Sequence, residues 1–166
     1  MITIISGSSR DDNNTKKVAL EYRRLLGERQ VAAHLLPLDE VNVMYRDDQF
    51  VQMEQQFLVP AGKFIIVMPE YNGSYPGILK LMIDNSDIAH AWKNKKVLLT
   101  GVSTGRAGNL RGMEHLTGSL LHMKMLVHPN RLPISSVNKL MDEQHHFSNR
   151  DTLEAINAQL DDFLTF

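Results

Sequence analysis

Three short stretches gather the small, polar and cationic residues that bind anions and planar rings. The first, "SGSSRDDNNT" (residues 6–15), joins an apolar run to a helical pattern. Gly7, Ser8 and Ser9 allow a tight turn, and Asn14 or Thr15 stands where a helix is capped. A helix N-terminus offers unpaired N–H groups and a partial positive charge, so hydroxyls, amides and Arg10 just ahead of it suit a phosphate; plain cap and turn duty would account for the same serines and asparagines. The Gly-Lys-Ser/Thr ending of a nucleoside triphosphate loop is missing, as is the GxGxxG of a dinucleotide site. The second stretch, "MPEYNGSYPG" (residues 68–77), is longer than the two to six residues that a βα connection ordinarily needs. Pro69, the Asn72-Gly73 turn pair and Pro76-Gly77 hold it in a defined shape, and Tyr71 and Tyr75 add flat apolar surface. Such a loop can wall a slot for a planar ring, or it can simply pack on its own tyrosines. The third, "GVSTGRAGN" (residues 101–109), has glycines at 101, 105 and 108 that permit close backbone approach to a ligand, and Arg106 as a possible positive group there; a solvated glycine-rich turn is the alternative.

What positions these loops is an alternation of strands and helices. Apolar β-rich runs occur at 2–6, 31–36, 63–68, 95–101 and 123–128. Helical periodicity appears in Val18, Ala19, Tyr22, Leu25 and Leu26, in the segment 77–90, in Leu110, Met113, Leu116 and Leu120, and in Leu153, Ile156, Leu160, Phe163 and Leu164. Near-continuous apolar strands separated by helices predict a parallel sheet covered on both faces, an α/β three-layer sandwich. At 166 residues the chain suits a five-stranded open sheet better than an eight-stranded barrel, which typically needs about 250. In an open sheet ligands bind beyond the carboxyl ends of the strands, and the three loops follow strands one, three and four.

Composition narrows the function. With 43% hydrophobic residues, 22% charged residues and a net charge of −1, nothing favours nucleic acid or a membrane surface as partner. The absence of cysteine excludes disulfides, thiolate catalysis and iron–sulfur ligation. The opening apolar run is too short for a signal or a membrane span, which predicts a cytoplasmic protein, and residues 1–166 read as a single domain. Seven scattered or adjacent histidines lack metal-site spacing, and nine methionines read as core filler.

"GSSR" with "NNT", "PEYNGSYPGILKLMID" and the glycine-rich third loop together resemble the NADPH-dependent FMN reductase family, a flavodoxin-like group that includes quinone, chromate and azo-dye reductases. The resemblance runs from Ile2 to about Asn130. It implies a flavodoxin-like five-stranded sheet, FMN as cofactor and NAD(P)H as co-substrate. It places Ser8, Arg10, Asn13, Asn14 and Thr15 around the FMN phosphate, Pro69, Glu70, Tyr71, Asn72 and Gly73 beside the isoalloxazine, and Ser103, Thr104, Gly105 and Gly108 at its other edge. A homodimer or homotetramer and a small-molecule electron acceptor are implied likewise. Asn13 stands where the family often has Ser, and Gly108-Asn109 where it often has Gly-Gly. Lys80 and Asp84 match the family too, though their i,i+4 spacing reads as a surface pair.

Two other functions compete. Residues 101–105 fit G-x-S-x-G, the elbow of serine hydrolases, with Asp142 and His145 or His146 following in the required order; but a helix should start almost at once after Ser103, and "GRAGN" intervenes. A flavodoxin-type carrier would bind FMN without a substrate of its own, and the near-neutral charge argues against the acidic docking surface typical of such carriers. On the reductase reading the flavin performs the redox chemistry in a ping-pong cycle and no side chain acts as acid, base or nucleophile.

Overall fold

A computed structural model describes residues 1–11 and 13–166. Strand β1 (Ile2–Ser6) is buried along its whole length and lies between β2 (Ala33–Pro37) and β3 (Lys63–Pro69): Ile2 faces Ala33 on one side and Lys63 on the other, both in parallel. Strand β4 (Lys96–Val102) extends the sheet in register from Lys63↔Lys96 to Pro69↔Val102. With β5 (Leu126–Val127) beside β4, the order β2-β1-β3-β4-β5 is the flavodoxin-like one.

Successive strand residues feed opposite faces. Ile4, Ile65 and Leu98 pack with Val18, Tyr22 and Leu26 of α1 (Asn14–Glu28) and with Ile156, Leu160 and Phe163 of α6 (Arg150–Thr165). Ile5, Ile66 and Leu99 pack on the other side with Leu79 and Met82 of α3 (Gly77–Asn85) and with Met113, Leu116 and Leu120 of α5 (Leu110–His122). Six of the nine methionines, Met53, Met68, Met82, Met113, Met123 and Met125, are buried in this second cluster, as core filler should be.

The structure departs from the periodicity in four places. The fifth strand is two short ones: β5 (Leu126–Val127) pairs with Lys96 and Val97, and β6 (Leu132–Ile134) pairs with Thr100, Gly101 and Val102, giving six strands. Pro129 lies between them, without an N–H for the ladder, and Arg131 N–H turns back to the Pro129 carbonyl. The second strand begins two residues later than its apolar run. The helix expected over 77–90 breaks at Ser86, whose hydroxyl donates to the Met82 carbonyl; Asp87 then caps a new short helix, α4 (Ile88–Ala91), by accepting from the N–H groups of Ala89 and His90. A helix that periodicity did not announce, α2 (Asp48–Met53), continues into a π-helical turn, Glu54–Leu58. There the buried Glu54 carboxylate takes both arms of Arg46 (2.9 and 2.6 Å) and the Asp87 N–H. Burial alone would raise that carboxyl, but these donors hold it below the usual range.

Candidate functional site

The chain leaves β1 toward β2 and returns to place β3 on the opposite side, so strand order reverses at the β1/β3 boundary. In doubly wound sheets a crevice opens there. A cavity of about 580 Å3 occupies this position, bounded by the loops after β1, β3 and β4. All the predicted site residues line it except Asn72, Gly73 and Gly108: Ser8, Arg10, Asn13, Asn14, Thr15, Pro69, Glu70, Tyr71, Ser103, Thr104 and Gly105 come together.

At one end stands the N-terminus of α1. Its cap is Asn13, not Asn14 or Thr15: Asn13 is extended (φ −93°, ψ 145°) and its side-chain oxygen accepts from Lys16 N–H at 2.8 Å, whereas the two residues after it are already helical. Lys16 and Lys17 N–H also reach the Asn13 carbonyl, whereas the N–H groups of Asn14 and Thr15 have no acceptor among the described residues. The Ser8 hydroxyl is buried, 2.8 Å from the Tyr71 hydroxyl, and also accepts from Arg10 N–H at 3.2 Å. The Arg10 guanidinium lies 4.5 Å from the Tyr71 ring centroid, and among the described residues no carboxylate pairs with it. Thus the first two loops are joined through Ser8, Arg10 and Tyr71.

Asn72 and Gly73 lie outside the cavity because they form the tip of a two-residue hairpin. Both have positive φ (52° and 78°), and Tyr71 and Ser74 exchange N–H···O bonds of 2.9 and 3.1 Å across them. The tip leans on α5 instead. A Cβ at Gly73 would stand 3.1 Å from Arg111 Nη1, the Ser74 hydroxyl meets His115 Nδ1 at 2.9 Å, and the Tyr75 hydroxyl meets Ser119 Oγ at 3.3 Å. Gly108 is likewise a shaping residue: its φ is +56°, and a Cβ there would sit 2.6 Å from the Pro133 side chain. Its N–H donates to Ser103 Oγ, and Ser103 Oγ donates to the Gly105 carbonyl, both at 3.0 Å.

Several lining residues escaped sequence reading: Asp11, Val102, Ala107 and Val137. Val137 arrives from a 3-10 turn after β6, fixed by Val137 N–H to the Ser103 carbonyl (3.1 Å) and by Ser136 N–H to the Gly105 carbonyl (2.9 Å). No local signal marks it; only the pairing of β6 with β4 brings it there. Arg106 lines the cavity and, among the described residues, has no ion pair.

The hydrolase constellation is not assembled. Ser103 is engaged within its own loop, the Asp142 carboxylate accepts from the N–H groups of Gln144 (3.0 Å) and His146 (2.9 Å), and His145 and His146 line a separate hollow with Leu20 and Arg24. Lys80 and Asp84 form the expected exposed pair at 2.5 Å.

The sequence model of the NADPH-dependent FMN reductases matches residues 1–139. The chain belongs to this family. It is similar to an NAD(P)H-dependent FMN reductase of Pseudomonas aeruginosa, 32% identical over 105 residues, an alignment covering 60% of this chain and 56% of that protein, little more than half of the relative's length. It is also similar to a 2-hydroxy-1,4-benzoquinone reductase of a Burkholderia species, 24% identical over 98% of this chain and 93% of that one. Among solved structures, the flavoenzyme NAD(P)H:(acceptor) oxidoreductase of Paracoccus denitrificans superposes with a TM-score of 0.81 at 22% identity, over 99% of this chain and 94% of that one.

The FMN reductase cofactor fits the donors present. The α1 end supplies the Asn14 and Thr15 amides, a buried serine hydroxyl and an arginine that has no carboxylate partner among the described residues, as a phosphate monoester requires. The rest of the cavity offers Pro69 and the backbone of residues 103–107, and Tyr71, held by Ser8 and Arg10, adds its flat ring, as a planar ring with a polar edge requires. Among the described residues no helix is long and apolar enough to cross a membrane, and no cluster of potential metal ligands occurs.

Proposed function

We propose that residues 1–166 act as one FMN-binding domain of an NAD(P)H oxidoreductase, passing two electrons in a ping-pong cycle to a quinone, a flavin or a similar small acceptor. The observation that carries this reading is the cavity at the strand-order reversal, with a phosphate-type end at α1 and a ring-type end between the β3 and β4 loops. FMN when bound would supply the hydride and electron chemistry. The chain's part is to hold and to polarise. Ser8, Arg10 and the first-turn amides of α1 bind the phosphate; Pro69 and Tyr71 wall the ring; and backbone N–H groups of residues 104–107 face negative charge at its polar edge, with Arg106 beside them. Tyr75 is turned onto α5 and does not line the cavity, which leaves room for a nicotinamide to stack. Assembly as a homodimer or homotetramer, on the strength of the family resemblance, and residence in the cytoplasm complete the reading.

The purified protein incubated with FMN is expected to develop flavin absorption bands. Anaerobic NADH or NADPH should bleach them stoichiometrically, and a quinone should restore them. A bound flavin that neither nicotinamide bleaches, but that a protein reductase reduces, would make the chain an electron carrier; no flavin bands at all would sink the FMN reading.

A further inference from the structure

The β3–β4 ladder ends at Pro69↔Val102, and beyond it the two loops that wall the ring end of the cavity have no strand pairing to hold them apart or together. One side chain, that of Asn109, ties the last two residues of β3 to the residue that follows the 103–108 loop. Asn109 is fully buried, and its amide Nδ2 donates to the carbonyls of both Met68 (3.1 Å) and Pro69 (2.8 Å). Because both partners are acceptors, the amide can face them only with its nitrogen. The surroundings are cut to this side chain. A Cβ at Gly112 would lie 2.0 Å from Asn109 Oδ1, and one at Gly101 would lie 3.0 Å from Asn109 Cβ and 2.1 Å from the Gly108 carbonyl oxygen. Asn109 itself is left-handed (φ 62°, ψ 34°) at the start of α5, yet its side chain caps none of that helix's free amides, and its Oδ1 is buried without a hydrogen-bond partner among the described residues. Helix stability alone does not account for that choice, since a capping residue would be extended and would turn its oxygen onto the helix.

We propose that Asn109 is a positioning residue of the flavin site: it fastens the start of α5 to the last two residues of β3, where the ladder ends, and so sets the width of the slot between Pro69–Tyr71 and the 103–107 loop before the ring enters. This rests on the FMN reading of the cavity. Of the latch's two carbonyl partners, that of Pro69 belongs to a residue lining the cavity on the side assigned to the ring, so loss of the latch acts on the ring and not on the phosphate. A slot held at the right width in the empty protein spares the bound state the ordering of two loops; without the latch that ordering opposes binding.

The test compares riboflavin and FMN binding by fluorescence quenching in the wild type, in Asn109→Gly and in Asn109→Asp, with the thermal midpoint of each ligand-free protein measured alongside. Glycine adopts the left-handed backbone without strain, so Asn109→Gly removes the latch with no backbone cost, and the thermal midpoint reads the void that the side chain leaves. Both ligands are expected to bind about tenfold more weakly, by the same factor, the scale of one or two lost hydrogen bonds. In Asn109→Asp the carboxylate has no proton to give the two carbonyls, so riboflavin binding is weak at neutral pH and recovers as the pH falls and the buried carboxyl gains an O–H; wild-type riboflavin binding has no such recovery. Riboflavin binding unchanged in Asn109→Gly despite a lowered midpoint would reduce Asn109 to a structural residue and overturn the proposal, as would a loss confined to FMN. Wild-type protein that binds neither ligand would overturn the flavin reading itself and the proposal with it.

Discussion

The two edges of the sheet use their cations differently. Where the strands begin, three lysines are bound to carbonyls at the ends of helical segments. Lys63 Nζ donates to the Phe163 and Leu164 carbonyls (2.9 Å each), Lys95 Nζ to those of Leu58 and Val59 (2.8 Å each), and Lys96 Nζ to that of Phe166. Positive charge at a helix C-terminus satisfies orphan carbonyls and opposes the dipole. Where the strands end, Arg10 has the Tyr71 ring beneath it, and Arg106 has no hydrogen bond or ion pair among the described residues. A cation whose donors are taken up by the chain's own carbonyls stabilises the fold. One whose donors face a cavity is available to an anion from outside.

The sharpest way to break this comparison is Arg10→Ala. Charge-assisted hydrogen bonds contribute about 1.5 to 3 kcal/mol each, so FMN binding should weaken roughly ten- to a hundredfold, while riboflavin, which lacks the phosphate, binds as before. The thermal midpoint of the ligand-free protein should hardly move, because the side chain is exposed and makes no ion pair among the described residues. An equal loss for the two ligands, measured by calorimetry, would place Arg10 among the structural cations and dissolve the contrast between the edges.

The opposite edge is expected to give the opposite pattern. Lys63→Met removes two donors from the last turn of α6 but also relieves the burial of a charge that lies near Lys96, so the net loss should be about 1 to 2 kcal/mol, a fall in Tm of roughly 2 to 8 °C for a chain of this size. FMN affinity should stay at the wild-type value, since the change lies at the far end of β3 from the cavity. A calorimetric scan and a titration on the same sample decide it; an affinity loss in step with the stability loss would mean that the two edges are coupled.

How much of this was legible in the sequence follows from the range of the interactions involved. The apolar runs of β1, β3 and β4 and the loops that follow them are local signals, and they suffice to locate the cavity. Asn13 is not distinguishable as the cap by residue type, because Asn14 and Thr15 suit the role nearly as well; its extended backbone and its bond to Lys16 N–H decide it. The break of the fifth strand was foreshadowed only by Pro129, and Val137 by nothing nearby. The π-helical turn depends on Glu54 meeting Arg46 and the Asp87 amide, and the Asn109 latch depends on carbonyls some forty positions earlier in the chain. Periodicity cannot see such partners, because each of these side chains is placed by a contact made after the sheet has formed. The Asn72-Gly73 turn pair is legible as such, and its positive φ angles make it the outward turn that holds Tyr71 in place, while a place beside the ring rests for both residues on the resemblance alone.

The smallest effect concerns Lys95, and it tests whether the strand-start lysines are buried at a cost that their carbonyl partners do not fully offset. Burial holds the Lys95 amine below its ordinary value. In the unfolded chain the amine titrates near about 10.4, so between the depressed folded value and that point the unfolded state binds more protons and stability rises with pH. Below the folded value the cost of the buried charge is fully present. Many other groups titrate in the same alkaline range, so the difference between wild type and Lys95→Met isolates this one. Urea unfolding from pH 8 to pH 10.5 is expected to show the wild type gaining stability relative to the variant as the pH rises. A constant difference across that range would mean that the Leu58 and Val59 carbonyls compensate the buried charge completely, and that the strand-start edge holds its cations at no cost in solvation.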